Sequence, residues 1–478
     1  KNILIIGAGP GGMAAALAAA AQGASVTLLE AGDTLGGQYW RHLPPARPSK
    51  KEASLHHGFE KFVSMRAELA ATESIEVITE AQVWNIEQLD NGQRAVHVLV
   101  GPVDSKNRES LTLISDAIVL ATGAHDRTLP FKGWDLPGVF TAGAAQAMAK
   151  GERVAIGQRI AIAGAGPFLL PVMQSSIGVG SKVVGVYEAN RVAGLAAGWL
   201  KNPWELIGAT KKMGELAGYV WLHLKNGIGY HTGTAVIEAH GTNRVEAVTI
   251  AKLDKNWSPI AGTEKRVAVD AVCVSHGFTP RIELAIAAGC EISSDRFVVC
   301  DERQQTSVAG IYVAGEIVGI GGVDSALAEG TLAGHFAADG AMDAPAIKRA
   351  LKSRKIFTGF AQRIDNAHGI KKGWTKWLIE DTLVCRCEEV TVGALKRTAV
   401  ASGSQSLRSQ KLTSRAGLGI CQARICGRSV EDLLSQEFSG LQSSANSDAR
   451  PIVTPIRLGD LAAEPKVIDA STGKSAGK

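Results

Sequence analysis

A six-residue phrase written twice constrains this chain more than anything else in it. Gly7–Gly12 reads GAGPGG and Gly164–Leu169 reads GAGPFL, each directly after an apolar run, Ile3–Ile6 and Ile160–Ala163. Small or apolar residues at helical spacing follow both copies. A second apolar run then ends in an acid: Glu30 after Val26–Leu29, and Glu188 after Val183–Tyr187. Strand, loop, helix and strand in this order form the βαβ unit of a dinucleotide-binding fold. Two copies in 478 residues predict two such domains in an α/β chain. Strand-like runs at Ile75–Ile78, Ala117–Leu120, Ala271–Val274 and Gly310–Val313 extend the pattern, which stops near residue 345. The expected division is a discontinuous first domain at 1–128 and 282–345, a second at 129–281 and a basic connecting segment at 346–380. A cysteine-bearing segment at 381–440 and a tail at 441–478 follow. The tail is rich in Ser, Ala, Pro and Asp without helical periodicity, and is read as extended over a neighbouring domain or subunit.

In the first copy, Gly7-x-Gly9-x-x-Gly12 follows a strand and opens a helix, the context this motif requires. Gly7 permits the tight turn, Gly9 lets backbone approach a pyrophosphate, and Gly12 lets the helix pack close on the strand. The helix N-terminus turns free N–H groups toward the phosphates. Glu30 sits where a carboxylate accepts hydrogen bonds from adenosine ribose hydroxyls. Three further elements support the reading. Ile118–Gly123 (IVLATG) is a strand entering a small-residue turn, and the Gly36-Gly37-Gln38 loop can lie along a flavin. After Thr306, the run Gly310–Glu316 (GIYVAGE) ends in a Gly–acid pair suited to ribityl hydroxyls.

The second copy departs from this pattern. Leu169 stands in place of the third glycine, and with Leu170 and Pro171 its bulk should push the helix from the strand or reshape its first turn. Glu188 tolerates a free 2′-hydroxyl and repels a 2′-phosphate, which disfavours NADPH. NAD(H), another adenine nucleotide and an empty remnant stay open.

Four of the seven cysteines crowd into the last hundred residues. That usage points to a metal site in a reducing compartment rather than to a disulfide framework. Cys273, Cys290 and Cys300 are isolated and read as buried structural residues, so no redox disulfide serves the first 345 residues. Cys385, Cys387, Cys421 and Cys426 form two close pairs. Zinc favours C-x-x-C knuckles, whereas two irons bridged by two sulfides need two ligand pairs. A [2Fe–2S] cluster is the preferred reading, with zinc and unliganded cysteines as alternatives. Arg386, Arg415, Arg424 and the N–H groups of the Gly417–Gly419 loop would offset its negative charge.

A net charge of +5 with dispersed basic residues and few aromatics leaves no nucleic-acid footprint. No run of about eighteen apolar residues predicts a transmembrane helix. A strand beginning at Asn2 leaves no room for a signal peptide ahead of it, so the expected location is cytoplasmic, with peripheral contact to the inner membrane allowed. His125, His276, Tyr39 and Trp40 read as packing residues. No triad, metal-hydrolase motif or paired acid and base is found, so no catalytic residue is assigned.

Over about residues 1–345 these elements resemble the two-dinucleotide-domain flavoprotein superfamily, including thioredoxin-reductase-like enzymes, with Glu316 where Asp is usual. Ser414–Gly427 (SRAGLGICQARICG) resembles the bacterioferritin-associated-ferredoxin-like (BFD-like) [2Fe–2S] domain, a small helical module. Ala121–Val139 (ATGAHDRTLPFKGWDLPGV) and Thr141–Gln146 (TAGAAQ) extend the likeness. Nearly the whole chain is similar to the A (α) subunits of opine oxidases, hydrogen cyanide synthase, and D-hydroxyproline or dye-linked proline dehydrogenases. The resemblance implies FAD held by Gly7, Gly9, Pro10, Gly11, Gly12, Glu30, Ala31, Gly37, Gln38, Val83, Ala121, Thr122, Gly123, Gly315 and Glu316. It implies a [2Fe–2S] cluster on Cys385, Cys387, Cys421 and Cys426, and allows FMN at a subunit interface. The implied partner is an FAD-containing β subunit related to glycine and D-amino-acid oxidases, which oxidises the substrate C–N bond. A small third subunit is allowed for, and a quinone or another acceptor takes the electrons. The competing expectation is an NADH-dependent reductase that passes electrons through its cluster.

Overall fold

Alanine and glycine dominate the Pro10–Ala20 helix because it is enclosed on several sides: Met13, Ala15, Ala16 and Ala19 are all fully buried. Larger side chains would hold the neighbouring strands away. This computed structural model describes every residue except 45, 50–51, 202–209, 404–405, 438–449, 451, 470–473 and 476–478. The chain divides into two compact units, Lys1–His125 with Pro280–Ala361 and Asp448–Lys478, and Asp126–Thr279 with Gln362–Ser447.

The first unit is built on a parallel sheet in the order Ile311–Val313, Ala117–Leu120, Asn2–Ile6, Ser25–Leu29, Ile75–Ile78. Its strands are near-continuous apolar runs, as expected where both faces are covered. The Pro10–Ala20 and Gly322–Ala337 helices pack together over one face, with Ile3, Ile5, Val26 and Leu28 in the shared core. The unit also holds an antiparallel sheet of Ala81–Gln88, Arg94–Val100 and Glu109–Ser115 that sequence reading does not find. The Lys466–Asp469 segment joins its edge, parallel to Glu109–Ser115, so the tail is not merely extended chain.

The second unit repeats the plan with a parallel sheet ordered Tyr230–Thr232, Lys182–Glu188, Arg159–Gly164, Ala271–Ser275, Val139–Thr141. Its helix opens at Leu169 rather than at Pro167, the counterpart of Pro10. Two turns, Leu169 N to Gly166 O and Leu170 N to Pro167 O, fill the gap, and Leu169 is fully buried. The expected reshaping of the first turn is what the bulk of Leu169 produces. The cysteine-bearing segment belongs to this unit: a short hairpin, Leu383–Cys385 with Val390–Thr391, then helices Val392–Ser402, Leu407–Thr413 and Gly427–Glu437. Thr391 and Ser406 cap two of these helices, accepting from Ala394 N and Ser409 N. The segment between the nucleotide pattern and the cysteines, read as a basic connector, is largely the Pro345–His368 helix.

Candidate functional site: a nucleotide cradle and a cysteine knot

In the first unit the glycine loop is held by contacts that leave no room for side chains. Gly7 has a φ of 103°, and a Cβ there or on Gly12 would overlap the carbonyl oxygens of Ala121 and Gly7 respectively. Gly9 is the N-cap of the Pro10–Ala20 helix and Pro10 opens its first turn, so no side chain covers the leading N–H groups. Ala8 O accepts from Gly36 N at 2.9 Å, which lays the Gly36-Gly37-Gln38 loop against the glycine loop. Glu30 accepts from Ala8 N through Oε2 and from Gly32 N through Oε1, both at 2.8 Å. These bonds use two of the roughly four lone-pair sites of a carboxylate and leave the others for a ribose diol.

The other expected contacts gather around this core. Ala121 N bonds Ile6 O, Thr122 Oγ1 donates to Arg281 O at 2.6 Å, and Gly123 O accepts from Arg281 N. Gly11 faces Ala314 and Ala326, next to Gly315. Ala31 is exposed, and Gln38 accepts from Arg41 Nη2. Val83 lies two residues beyond Ala81, whose N–H bonds Glu30 O; its side chain is in the core and its carbonyl accepts from Thr454 Oγ1. Trp40 is a core residue packed on Phe62, His125 is half-buried, and His276 lies buried near Trp257 and Trp377. Burial, then Arg127, pushes His276 down to about 3, so it is neutral.

Sequence reasoning missed Glu329. It rises from the Gly322–Ala337 helix, accepts from Gly315 N and Ser325 Oγ at 2.8 Å each, and is 5% exposed. Glu316 beside it accepts from Gly322 N at 2.9 Å. Burial raises both carboxyls to about 7, and Glu329 adds a charge effect on Glu316. An acid in the middle of an alanine- and glycine-rich helix was the signal. The cradle fits an adenine dinucleotide: free helix N–H groups for a pyrophosphate, Glu30 for a ribose, and Gly315–Glu316 at a second strand end.

The four late cysteines are all reduced and meet in space. Cys426 hydrogen-bonds both Cys385 and Cys421, and Cys421 also contacts Cys387. Gly417 N donates to Cys385 Sγ at 3.5 Å. These bonds, Cys426 first, pull Cys385 down to about 6 and Cys421 to about 5, while their neighbours push Cys426 up. Metal binds the thiolate form, which these bonds favour at Cys385 and Cys421. The loop is bent to achieve this: Arg415, Gln422 and Ala423 have positive φ, and a Cβ on Gly419 would overlap that of Cys387.

Among the described residues, no group of three or more His, Cys, Asp or Glu is placed to hold a single metal ion. A binuclear centre asks for something different, two thiolates on each iron, and four thiols linked in the series Cys385, Cys426, Cys421, Cys387 suit that chemistry. Arg386 lies over the Trp134 ring at 5.2 Å, Arg415 pairs with Glu388 at 2.6 Å, and Arg424 donates to Cys421 O. The Gly417 N–H of the expected loop and the Glu388 backbone reach the Cys385 sulfur. Trp134 Nε1 also donates to Leu383 O at 2.7 Å, and Arg127 pairs with Asp432 at 2.6 Å, which ties the segment to the second nucleotide fold.

Cys273, Cys290 and Cys300 are far from such activation. Burial raises all three thiols, Cys300 to about 11. Among the described residues no helix is long and apolar enough to cross a membrane.

Comparison with known proteins agrees with this architecture. Residues 1–330 match the family described as pyridine nucleotide-disulphide oxidoreductase. Hydrogen cyanide synthase subunit HcnB of Pseudomonas protegens is 30% identical over 458 residues, covering 91% of this chain and 92% of that protein. The A-type subunit of Rhizobium meliloti opine oxidase is 30% identical over 495 residues, covering 99% and 90%. The crystal structure of L-proline dehydrogenase from P. horikoshii shares the fold, with a TM-score of 0.64 at 22% identity over 97% of this chain and 79% of that one. An FAD-type glycine loop, a second nucleotide fold and whole-length relatives named as oxidase and synthase subunits converge: this chain is an oxidoreductase that belongs to the pyridine nucleotide-disulphide oxidoreductase family.

Proposed function

We propose that the chain is the FAD- and [2Fe–2S]-carrying electron-transfer subunit of a heteromeric dehydrogenase or oxidase that cleaves the C–N bond of an opine or related amino or imino acid. The observation that carries the reading is the convergence of Cys385, Cys387, Cys421 and Cys426 in a chain whose other cysteines are held as protonated thiols. When bound, the flavin and the two-iron cluster supply reversible storage and passage of electrons.

The chain's own residues do the holding. The N–H groups at the start of the Pro10–Ala20 helix would bind the pyrophosphate, and Glu30 the adenosine ribose. Gly315 and Glu316 would line the ribityl chain, with Glu329 fixing Gly315 N. Cys385 and Cys387 on the hairpin side and Cys421 and Cys426 on the loop would hold the irons, and Gly417 N–H would steady a thiolate. Substrate oxidation is assigned to a partner FAD subunit; relatives named as subunits of hydrogen cyanide synthase and opine oxidase support the presence of a partner. FMN between the subunits and a quinone as acceptor complete the reading. It is tested by purifying the chain with its partner and measuring dye reduction by octopine, nopaline, proline and hydroxyproline. Turnover only with both subunits, lost in Cys421→Ser, is expected; amine oxidation by this chain without its partner contradicts it.

A further inference from the structure

Glu188 ends the Lys182–Glu188 strand as Glu30 follows the Ser25–Leu29 strand, but its surroundings differ. Its side chain is fully buried and meets four N–H donors. Oε2 accepts from Gly166 N at 2.9 Å and from His368 Nδ1 at 3.2 Å. Oε1 accepts from Asn190 N at 2.9 Å and Asn190 Nδ2 at 3.0 Å. A carboxylate offers about four lone-pair sites, so this one is full. The Tyr230 hydroxyl also hydrogen-bonds Glu188, and the phenol is raised by burial, then by the charge of Glu188 and by that bond.

The tautomer of His368 follows from its other neighbour. Trp199 Nε1 can only donate and does so to His368 Nε2 at 3.1 Å, so Nε2 accepts and Nδ1 carries the hydrogen that Glu188 receives. Trp199 ends the Val192–Trp199 helix, whose Gly198 rests on the last turn of the Pro345–His368 helix. A Cβ on Gly198 would come within 2.5 Å of Ala367 N and Cα. Arg363 Nη2 adds a bond to Lys201 O at 3.0 Å.

We infer that the Trp199–His368–Glu188 relay closes the second fold to adenine nucleotides, NAD(H) included, and that this fold instead anchors the polypeptide leading into the cysteine segment. His368 and the Asn190 amide occupy the acceptor positions a ribose diol would need. The glycine loop that would meet the pyrophosphate is also altered, since its helix starts only at Leu169. A pyridine nucleotide therefore does not fit here, although the family name suggests one, and electrons do not enter this chain from NADH through this fold.

The test is calorimetric titration of the FAD-loaded chain with NADH and with ADP-ribose, beside thermal melting of two variants. No saturable binding is expected up to about 1 mM ligand. His368→Ala should lower Tm by about 3–8 °C, whereas His368→Asn, which keeps an N–H donor near the Nδ1 position, should restore most of the loss. Saturable NADH binding below about 100 μM that Glu188→Ala abolishes and Glu30→Ala spares would overturn the closure. A His368→Ala chain melting like the wild type would overturn the anchoring. Neither result touches the cysteine reading, which is measured by iron content.

Discussion

The two nucleotide folds start from the same phrase and end as different objects. At the third glycine position the first has Gly12, wedged against the Gly7 carbonyl, and the second has the buried Leu169. At the acid the first has Glu30 with two backbone donors, and the second has Glu188 with four N–H donors. Both acids keep the same frame of one donor from the loop and one from two residues ahead. What separates them is whether lone pairs remain. A duplicated fold thus keeps its architecture while one copy trades ligand recognition for internal bonding, and a motif match alone does not distinguish the outcomes.

The largest effects should come from exchanging the two residues that distinguish the loops. Leu169→Ala removes a fully buried side chain and should cost about 2–5 kcal/mol by urea denaturation. Gly12→Ala forces a methyl group onto a backbone oxygen, costs about 1–3 kcal/mol and should yield colourless protein. A Gly12→Ala chain that retains flavin at full occupancy would break the comparison. Next come the acids. Glu30→Gln should weaken FAD binding by roughly 10- to 100-fold in fluorescence titration, while Glu188→Gln should leave FAD affinity unchanged and lower stability by about 1–3 kcal/mol.

A smaller effect should appear with pH. Glu316 and Glu329 are raised from 4.5 to about 7, so between those values the native chain holds protons that the unfolded chain has lost. Stability is then fully present below about pH 4.5 and falls as pH rises through 7. Arg354 faces Glu329 and tempers the shift. Glu329→Gln should flatten the slope between pH 5 and 8; an unchanged slope would assign it to other groups.

The first parallel sheet and the three central strands of the second were legible as short apolar runs, whereas the short edge strands Tyr230–Thr232 and Val139–Thr141 were not, and the run of small residues announced a closely packed helix. The antiparallel sheet was not read, although Asp90-Asn91-Gly92 marks its first turn and Arg94–Val100 is mostly apolar, because polar residues interrupt its strands at Asn85, His97 and Thr112. The Pro345–His368 helix carries an apolar stripe at helical spacing, Ile347, Ala350, Leu351, Phe357, Phe360, Ile364 and Ala367, and reading its interleaved basic residues as a solvated connector overlooked it. The grouping of the four late cysteines was readable from spacing, but the contact made by Arg386 was not. It rests on Trp134, which stands 249 residues before its own bonding partner Leu383 and beside it in space. Glu188 shows the limit most clearly. Its decisive donor, His368, lies 180 residues away, and no local pattern links them.

One flavin and one two-iron centre are proposed to share this polypeptide. Anaerobic reconstitution with FAD, iron and sulfide, followed by metal and sulfide analysis with low-temperature EPR after dithionite, tests it directly. About two irons and two acid-labile sulfides per flavin are expected, with a paramagnetic reduced cluster that Cys385→Ser and Cys426→Ser lose. Stoichiometric zinc, or a chain that takes up flavin but no iron, would contradict it.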